Sequence, residues 1–170
     1  MPKPIRLYVR WIDAFNRWVG RFAMYIFFVM AAVMLWSTIS RAVFGTPVNW
    51  ALEATQFLLS AYYLLGGAWS LQEGAHVRMD LFYGRLPARR RAMVDAFTIL
   101  FVLFFLGVLL WGAVSSTQYA IQYNQKNYSA WSPVLWPVKV AMTVGVFLML
   151  LQVISQFFKD VAEAMNRPIA

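Results

Sequence analysis

Residues 92–113, AMVDAFTILFVLFFLGVLLWGA, contain a single charged side chain, Asp95, and they decide the class of structure. A helix needs about 20 predominantly apolar residues to cross the hydrocarbon core of a bilayer, and this stretch has that length and composition. Other stretches of the chain share the same character. The predicted spans run over about 22–40, 51–71, 92–113 and 134–158.

The composition of the whole chain agrees with these spans. Of its 170 residues, 61% are hydrophobic and only 13% are charged, and the mean hydropathy is +0.57. A soluble domain of this size is far more polar. Because four spans and their short connections use most of the chain, we expect one all-α integral membrane domain over residues 1–170, surrounded by the lipid bilayer.

The basic residues are distributed unevenly between the two sides of this topology. Lys and Arg are retained in the cytoplasm during insertion, so the richer side is cytoplasmic and holds both termini. The net charge of +8 then reflects topology, and no nucleic-acid partner is expected. The cytoplasmic side has Lys3, Arg6, Arg10, Arg17, Arg21, Arg78, Arg85, Arg89, Arg90, Arg91, Lys159 and Arg167; the outer side has Arg41, Lys126 and Lys139.

Residues 4–21, PIRLYVRWIDAFNRWVGR, combine an apolar stripe at helical spacing with a second, offset stripe that contains four arginines and Asp13. This pattern predicts an amphipathic helix that lies at the cytoplasmic lipid interface, with its arginines toward anionic headgroups. The alternative is that residues 4–21 extend the first span.

The connections between spans also carry information. Residues 45–49, GTPVN, predict a short turn, so the first two spans are expected to be antiparallel neighbours. The third helix is expected to continue beyond the bilayer from Ser115 into a polar protrusion on the outer side. Trp50 lies near the same outer boundary, as an aromatic belt requires.

The residue types present in the chain exclude several kinds of catalytic and metal-binding site. The chain has no cysteine and one histidine, His76, which excludes thiolate metal sites, hydrolytic triads and bis-histidine haem ligation, and no cofactor is expected. Glu53 lies at the outer edge of the second span. This position favours a capping or subunit-contact role for Glu53. The alternative is that the chain is a free-standing, four-helix exporter and exchanges protons through this carboxylate.

The sequence also does not have the features of a complete carrier. It shows no convincing internal repeat and no proline in the middle of a span, both of which are typical of secondary transporters. The polar residues within the spans, such as Thr98 and Gln152, are scattered and mostly able to bond their own helix backbone. An accessory subunit is therefore the better interpretation.

Two segments, RAVFGTPVNWALEATQFLL (41–59) and GGAWSLQEGAHVRMDLFYGRLPARRR (66–91), resemble the small DctQ-type membrane subunit of tripartite ATP-independent periplasmic (TRAP) transporters. SPVLWPVKVAMTVGVFLMLLQ (132–152) resembles the closing helix of that family. A departure is Leu52, where many members have the first of two glutamates. The positions that fit the family pattern are Arg41, Phe44, Gly45, Trp50, Glu53, Gly74, His76, Asp80, Leu86 and Pro87.

The resemblance implies an accessory scaffold in the bacterial inner membrane rather than an enzyme. Its partners would be a large DctM-type membrane subunit, which carries the substrate with sodium, and a periplasmic substrate-binding protein, which delivers an organic acid. Gly74 would end the second span at the cytoplasmic surface. Bonds to one another, to nearby backbone or to the partner would be made by Glu73, His76, Arg78 and Asp80. The alternative for this segment is a solvated loop. The candidate contact or structural residues are Arg41, Trp50, Glu53, Gly74, His76, Arg78, Asp80 and Pro87.

Overall fold

The computed structural model describes residues 3–73 and 88–164. Within these ranges it has four α-helices, and the prediction of an all-α chain is confirmed there. The one other regular element in the described ranges is an isolated antiparallel bridge between Lys126 and Val134. The helices are α1 (Lys3–Phe44), α2 (Ala51–Gln72), α3 (Ala88–Gln122) and α4 (Trp136–Ala164).

The first helix differs from its prediction. A break near residue 21 was expected between an interfacial helix and the first span, but α1 continues for 42 residues, about 63 Å at 1.5 Å per residue. This is the alternative in which the N-terminal segment extends the first span. The physical reason is that residues 17–23 contain no proline, and Gly20 fits against Trp69 of α2, where an added Cβ would lie 2.6 Å from the Trp69 Cβ.

In the described part of the chain, three helices are long and apolar enough to cross a membrane: Ile5–Phe44, Phe97–Gln122 and Trp136–Ala162. The sequence predicted four spans, and α2 does not meet this criterion although its bounds match the prediction closely. Its polar residues, among them Glu53, Gln56 and Ser60, lower its hydropathy. The expected extension of the third helix past the bilayer is consistent with α3, which continues to Gln122.

The helices pack in the order α1, α2, α4 and α3, and α4 contacts each of the others. Val19, Ala68 and Leu148 form the core where α1, α2 and α4 meet. Leu106 of α3 packs with Val146 and Val153 of α4 in a second cluster. Burial of these side chains against one another fixes the relative positions of the four helices.

Small residues set the spacing between the helices. Ala68 is fully buried. A Cβ added at Gly145 of α4 would lie 2.8 Å from the carbonyl carbon of Leu64, so α2 and α4 touch at the backbone there. Close approach of this kind increases dispersion contacts, which drive helix association where the surroundings are as apolar as the side chains.

Candidate functional site

Polar side chains of α1 and α4 form a buried network, which we call the α1–α4 cluster and define as Asp13, Asn16, Gln152, Ser155 and Lys159. The Lys159 Nζ atom lies 2.6 Å from Asp13 Oδ2. The amide of Gln152 donates to Asp13 Oδ1 over 3.0 Å, and the Ser155 hydroxyl is 3.3 Å from the same oxygen. Asn16 donates to Gln152 Oε1 over 2.6 Å. Both carboxylate oxygens of Asp13 are therefore bonded.

The cluster is shielded from solvent. Asn16, Gln152 and Ser155 have at most 1% of their surface exposed, and the side chains of Lys159 and Asp13 are 26% and 16% exposed. A charge in such a place is tolerated when it is paired and hydrogen-bonded. The cluster therefore tightly links the N-terminal part of α1 to the C-terminal part of α4.

The last turn of α2 joins this cluster. In the amide orientation that satisfies both neighbours, Gln72 donates to the carbonyl oxygen of Asp13 and accepts from the Arg17 guanidinium, each over 3.2 Å. α2 ends at Gln72, and the N–H of the next residue, Glu73, donates to the Trp69 carbonyl oxygen. Three helices are therefore held together at one end of the molecule by polar contacts.

A second network lies where α3 and α4 meet, and we call it the Lys139 cluster, defined as Ser116, Thr117, Gln125, Lys139 and Thr143. The Lys139 ammonium donates to Gln125 Oε1 over 2.8 Å and to Ser116 Oγ over 2.9 Å. The hydroxyls of Thr117 and Thr143 are 2.8 Å apart. These contacts fix the α3–α4 loop, residues 123–135, to the helices that it connects.

Two of the sequence-predicted residues lie beside this loop. Trp50 occupies the position before α2 without a side-chain capping bond, and its ring centroid is 6.4 Å from that of Trp131. Glu53 is in the first turn of α2, where a negative charge complements the helix dipole, and it accepts from Asn127 over 3.4 Å. The start of α2 is thereby tied to the α3–α4 loop.

Arg41 stands apart from both networks. It lies in the last turn of α1, where a positive charge is favourable, and its side chain is exposed. It lines a recess of about 440 Å³ together with Pro47 and Asn49. The turn beside it contains Gly45 in the left-handed region, at φ 65°.

The remaining predicted site residues lie outside the described residues. Nothing in the structure bears on their roles, which stay predictions. They are Gly74, His76, Arg78, Asp80 and Pro87.

The sequence interpretation missed the α1–α4 cluster. It treated Gln152 as a scattered polar residue able to bond its own helix, whereas Gln152 bonds Asp13 and Asn16 of α1. The same interpretation is correct for Thr98, whose hydroxyl donates to the Val94 carbonyl oxygen. The available signal was the spacing of Gln152, Ser155 and Lys159, which share one face of a helix.

Residues 30–163 of the chain match the protein family described as tripartite ATP-independent periplasmic transporters, DctQ component. No individual curated protein matches the chain. The matched range covers most of the sequence and includes α2, α3, nearly all of α4 and the whole Lys139 cluster, whereas Asp13 and Asn16 of the α1–α4 cluster lie before it. The chain therefore belongs to the DctQ family of TRAP transporter components, and it is a membrane protein of a transporter rather than an enzyme.

Proposed function

We propose that this chain is the accessory scaffold subunit of its transporter, in the bacterial inner membrane. It would support a large DctM-type membrane subunit that takes up an organic acid with sodium, after delivery by a periplasmic substrate-binding protein. Family membership supports the kind of partner. Sodium coupling and the organic acid come from the family resemblance.

One observation carries the scaffold role. Where the described helices meet, polar side chains bond to one another across the contact. Asp13 of α1 pairs with Lys159 of α4, and Thr117 of α3 bonds Thr143 of α4. A carrier instead needs polar groups that face a substrate or ion pathway near the middle of the membrane. A chain whose polar groups hold its own helices together is suited to a rigid support.

The proposed topology has four spans, with both termini in the cytoplasm. α2 has 22 residues, about 33 Å, which is enough to cross the hydrocarbon core. It packs between α1 and α4, both of which qualify as spans. The cost of placing its hydroxyl groups in hydrocarbon is reduced because Thr55 and Ser60 donate to the helix carbonyl oxygens of Ala51 and Gln56. In this topology residues 45–49 and the α3–α4 loop face the periplasm.

The alternative of a free-standing proton-coupled exporter has less support. Such an exporter needs a carboxylate placed to exchange protons with a transported cation within the membrane. Glu53 lies in the first turn of α2 and is bonded to Asn127 of the α3–α4 loop. This position agrees better with a structural contact at the edge of the bilayer.

The test is reconstitution in liposomes under an inward sodium gradient. The large subunit and the binding protein are reconstituted with and without this chain, and uptake of the organic acid is measured. We expect uptake only when this chain is present, and no uptake when the large subunit is omitted. Undiminished uptake without this chain would contradict the scaffold role, and uptake by this chain alone would favour a carrier.

A further inference from the structure

The α3–α4 loop buries little apolar surface, but hydrogen bonds and ring contacts hold it in place. The Leu135 N–H donates to the Gln125 carbonyl oxygen and the Asn127 N–H to the Pro133 carbonyl oxygen, each over 2.9 Å. Lys139 holds the Gln125 side chain from α4. Two other points of attachment, the Trp131 ring against Trp50 and Asn127 with Glu53, connect the loop to α2. The loop therefore presents a fixed surface.

This fixed surface carries exposed aromatic side chains. Tyr128 is fully exposed, at 105% of its reference area, and Tyr123 is 63% exposed. Together with Lys126, Asn124 and other residues of the loop they line a recess of about 490 Å³. Tyrosine loses little conformational entropy when it binds, and it is enriched at the centres of protein interfaces.

The charge of the loop indicates the chemistry of the partner. Lys126 is the only charged residue among residues 123–135, and its side chain is exposed. The other polar groups around the recess are neutral amides and hydroxyls, such as those of Asn124 and Ser132. The complementary surface on a partner is therefore a carboxylate beside an apolar patch. The carboxylate would pair with Lys126, and the apolar patch would cover the tyrosines.

We propose that Tyr123, Lys126 and Tyr128 form a docking site for an acidic surface of a water-soluble protein. This inference rests on the proposed function, in which the loop faces the periplasm and the soluble partner is the substrate-binding protein. Preorganisation of the loop lowers the entropic cost of docking. The weak, single-charge pairing suits a partner that must dock and leave in every transport cycle.

The test measures uptake by the complete reconstituted transporter at increasing concentrations of binding protein. Lys126→Glu should raise the half-saturating concentration of binding protein about tenfold or more, with maximal uptake retained, because it places like charges together. Tyr128→Ala should raise it less, about three- to tenfold. The control is Tyr25→Ala in α1, an exposed tyrosine outside the loop (67% exposed), which should leave the half-saturating concentration unchanged.

Co-purification of the large subunit with each variant separates the possible outcomes. Normal recovery together with a raised half-saturating concentration supports the docking site. Normal recovery with a half-saturating concentration like that of the unmodified protein overturns the docking site and leaves the scaffold role intact. Loss of the large subunit in Lys126→Glu also overturns it, since the loop would then contact the membrane subunit. Absence of uptake by the unmodified assembly contradicts the proposed function itself.

Discussion

The two ends of the molecule each use a lysine to connect helices, and they do so differently. Lys159 pairs with a carboxylate, Asp13, on a helix 146 residues away. Lys139 bonds neutral oxygens of Ser116 and Gln125, 23 and 14 residues away, within the hairpin formed by α3 and α4. One lysine joins the first helix to the last, and the other fixes a local connection.

This difference sets how much each lysine matters. Removal of Lys159 leaves a partly buried carboxylate without its compensating charge, which is a costly state. Removal of Lys139 leaves an amide and a hydroxyl, which lose one hydrogen bond each but carry no charge. Two lysines that look equivalent in the sequence are therefore expected to differ strongly in their contribution to stability.

The largest effect is expected for Lys159→Met. This change should lower the free energy of unfolding by about 2–4 kcal/mol, near the lower end of the range for breaking a buried ion pair because both side chains are partly exposed. The measurement is a titration of the detergent-purified chain with sodium dodecyl sulfate, followed by loss of helical circular dichroism.

A double variant sharpens this test. Asp13→Asn combined with Lys159→Met removes both charges, and it should recover more than half of the lost stability because no unpaired charge remains. If the double variant is as unstable as Lys159→Met, the lysine acts through packing, and the contrast between the two ends is lost.

An intermediate effect is expected for Gly145→Ala. The added Cβ would lie 2.8 Å from α2 backbone and must separate α2 from α4, at a cost of about 1–3 kcal/mol as in other overpacked sites. The same titration measures the effect. The matched control is Gly112→Ala in α3, where nothing lies within 4 Å of the new Cβ. An equal response in the two variants would show that the change reflects helix propensity alone.

The smallest effect is expected for Lys139→Met, about 0.5–1.5 kcal/mol, because the acceptors that it leaves are neutral. The loss should be local. Proteolysis of the purified chain should therefore become faster at the α3–α4 loop, while the unfolding midpoint changes little. A destabilisation as large as that of Lys159→Met would remove the distinction between the two lysines.

Helix positions were the most predictable part of the fold. The predicted bounds 51–71 for the second span compare with Ala51–Gln72 for α2, because GTPVN before it and Gly74 after it delimit an apolar segment. The division of α1 was wrong because a change from amphipathic to uniformly apolar character does not require a break in the backbone. Only a residue such as proline imposes one.

The contacts between helices were less predictable. An aspartate such as Asp13, on a helix face rich in arginines, reads as a solvated residue, and only the arrival of α4 makes it a buried partner. The tie between Glu53 and Asn127 likewise depends on the path of a loop 74 residues further along the chain. Residue spacing indicates which side chains share a face, but it does not indicate which helix covers that face.

The position of α4 has a consequence for synthesis. α4 contacts every other described helix, yet the ribosome makes it last. The hairpin of α1 and α2 can form early, whereas α3 gains its main neighbour only after α4 is made. At about 5–20 residues per second, synthesis of the 146 residues from Asp13 to Lys159 takes about 7–30 seconds. During that interval Asp13 has no partner from α4, and the polar contacts between α1 and α4 form only when α4 arrives.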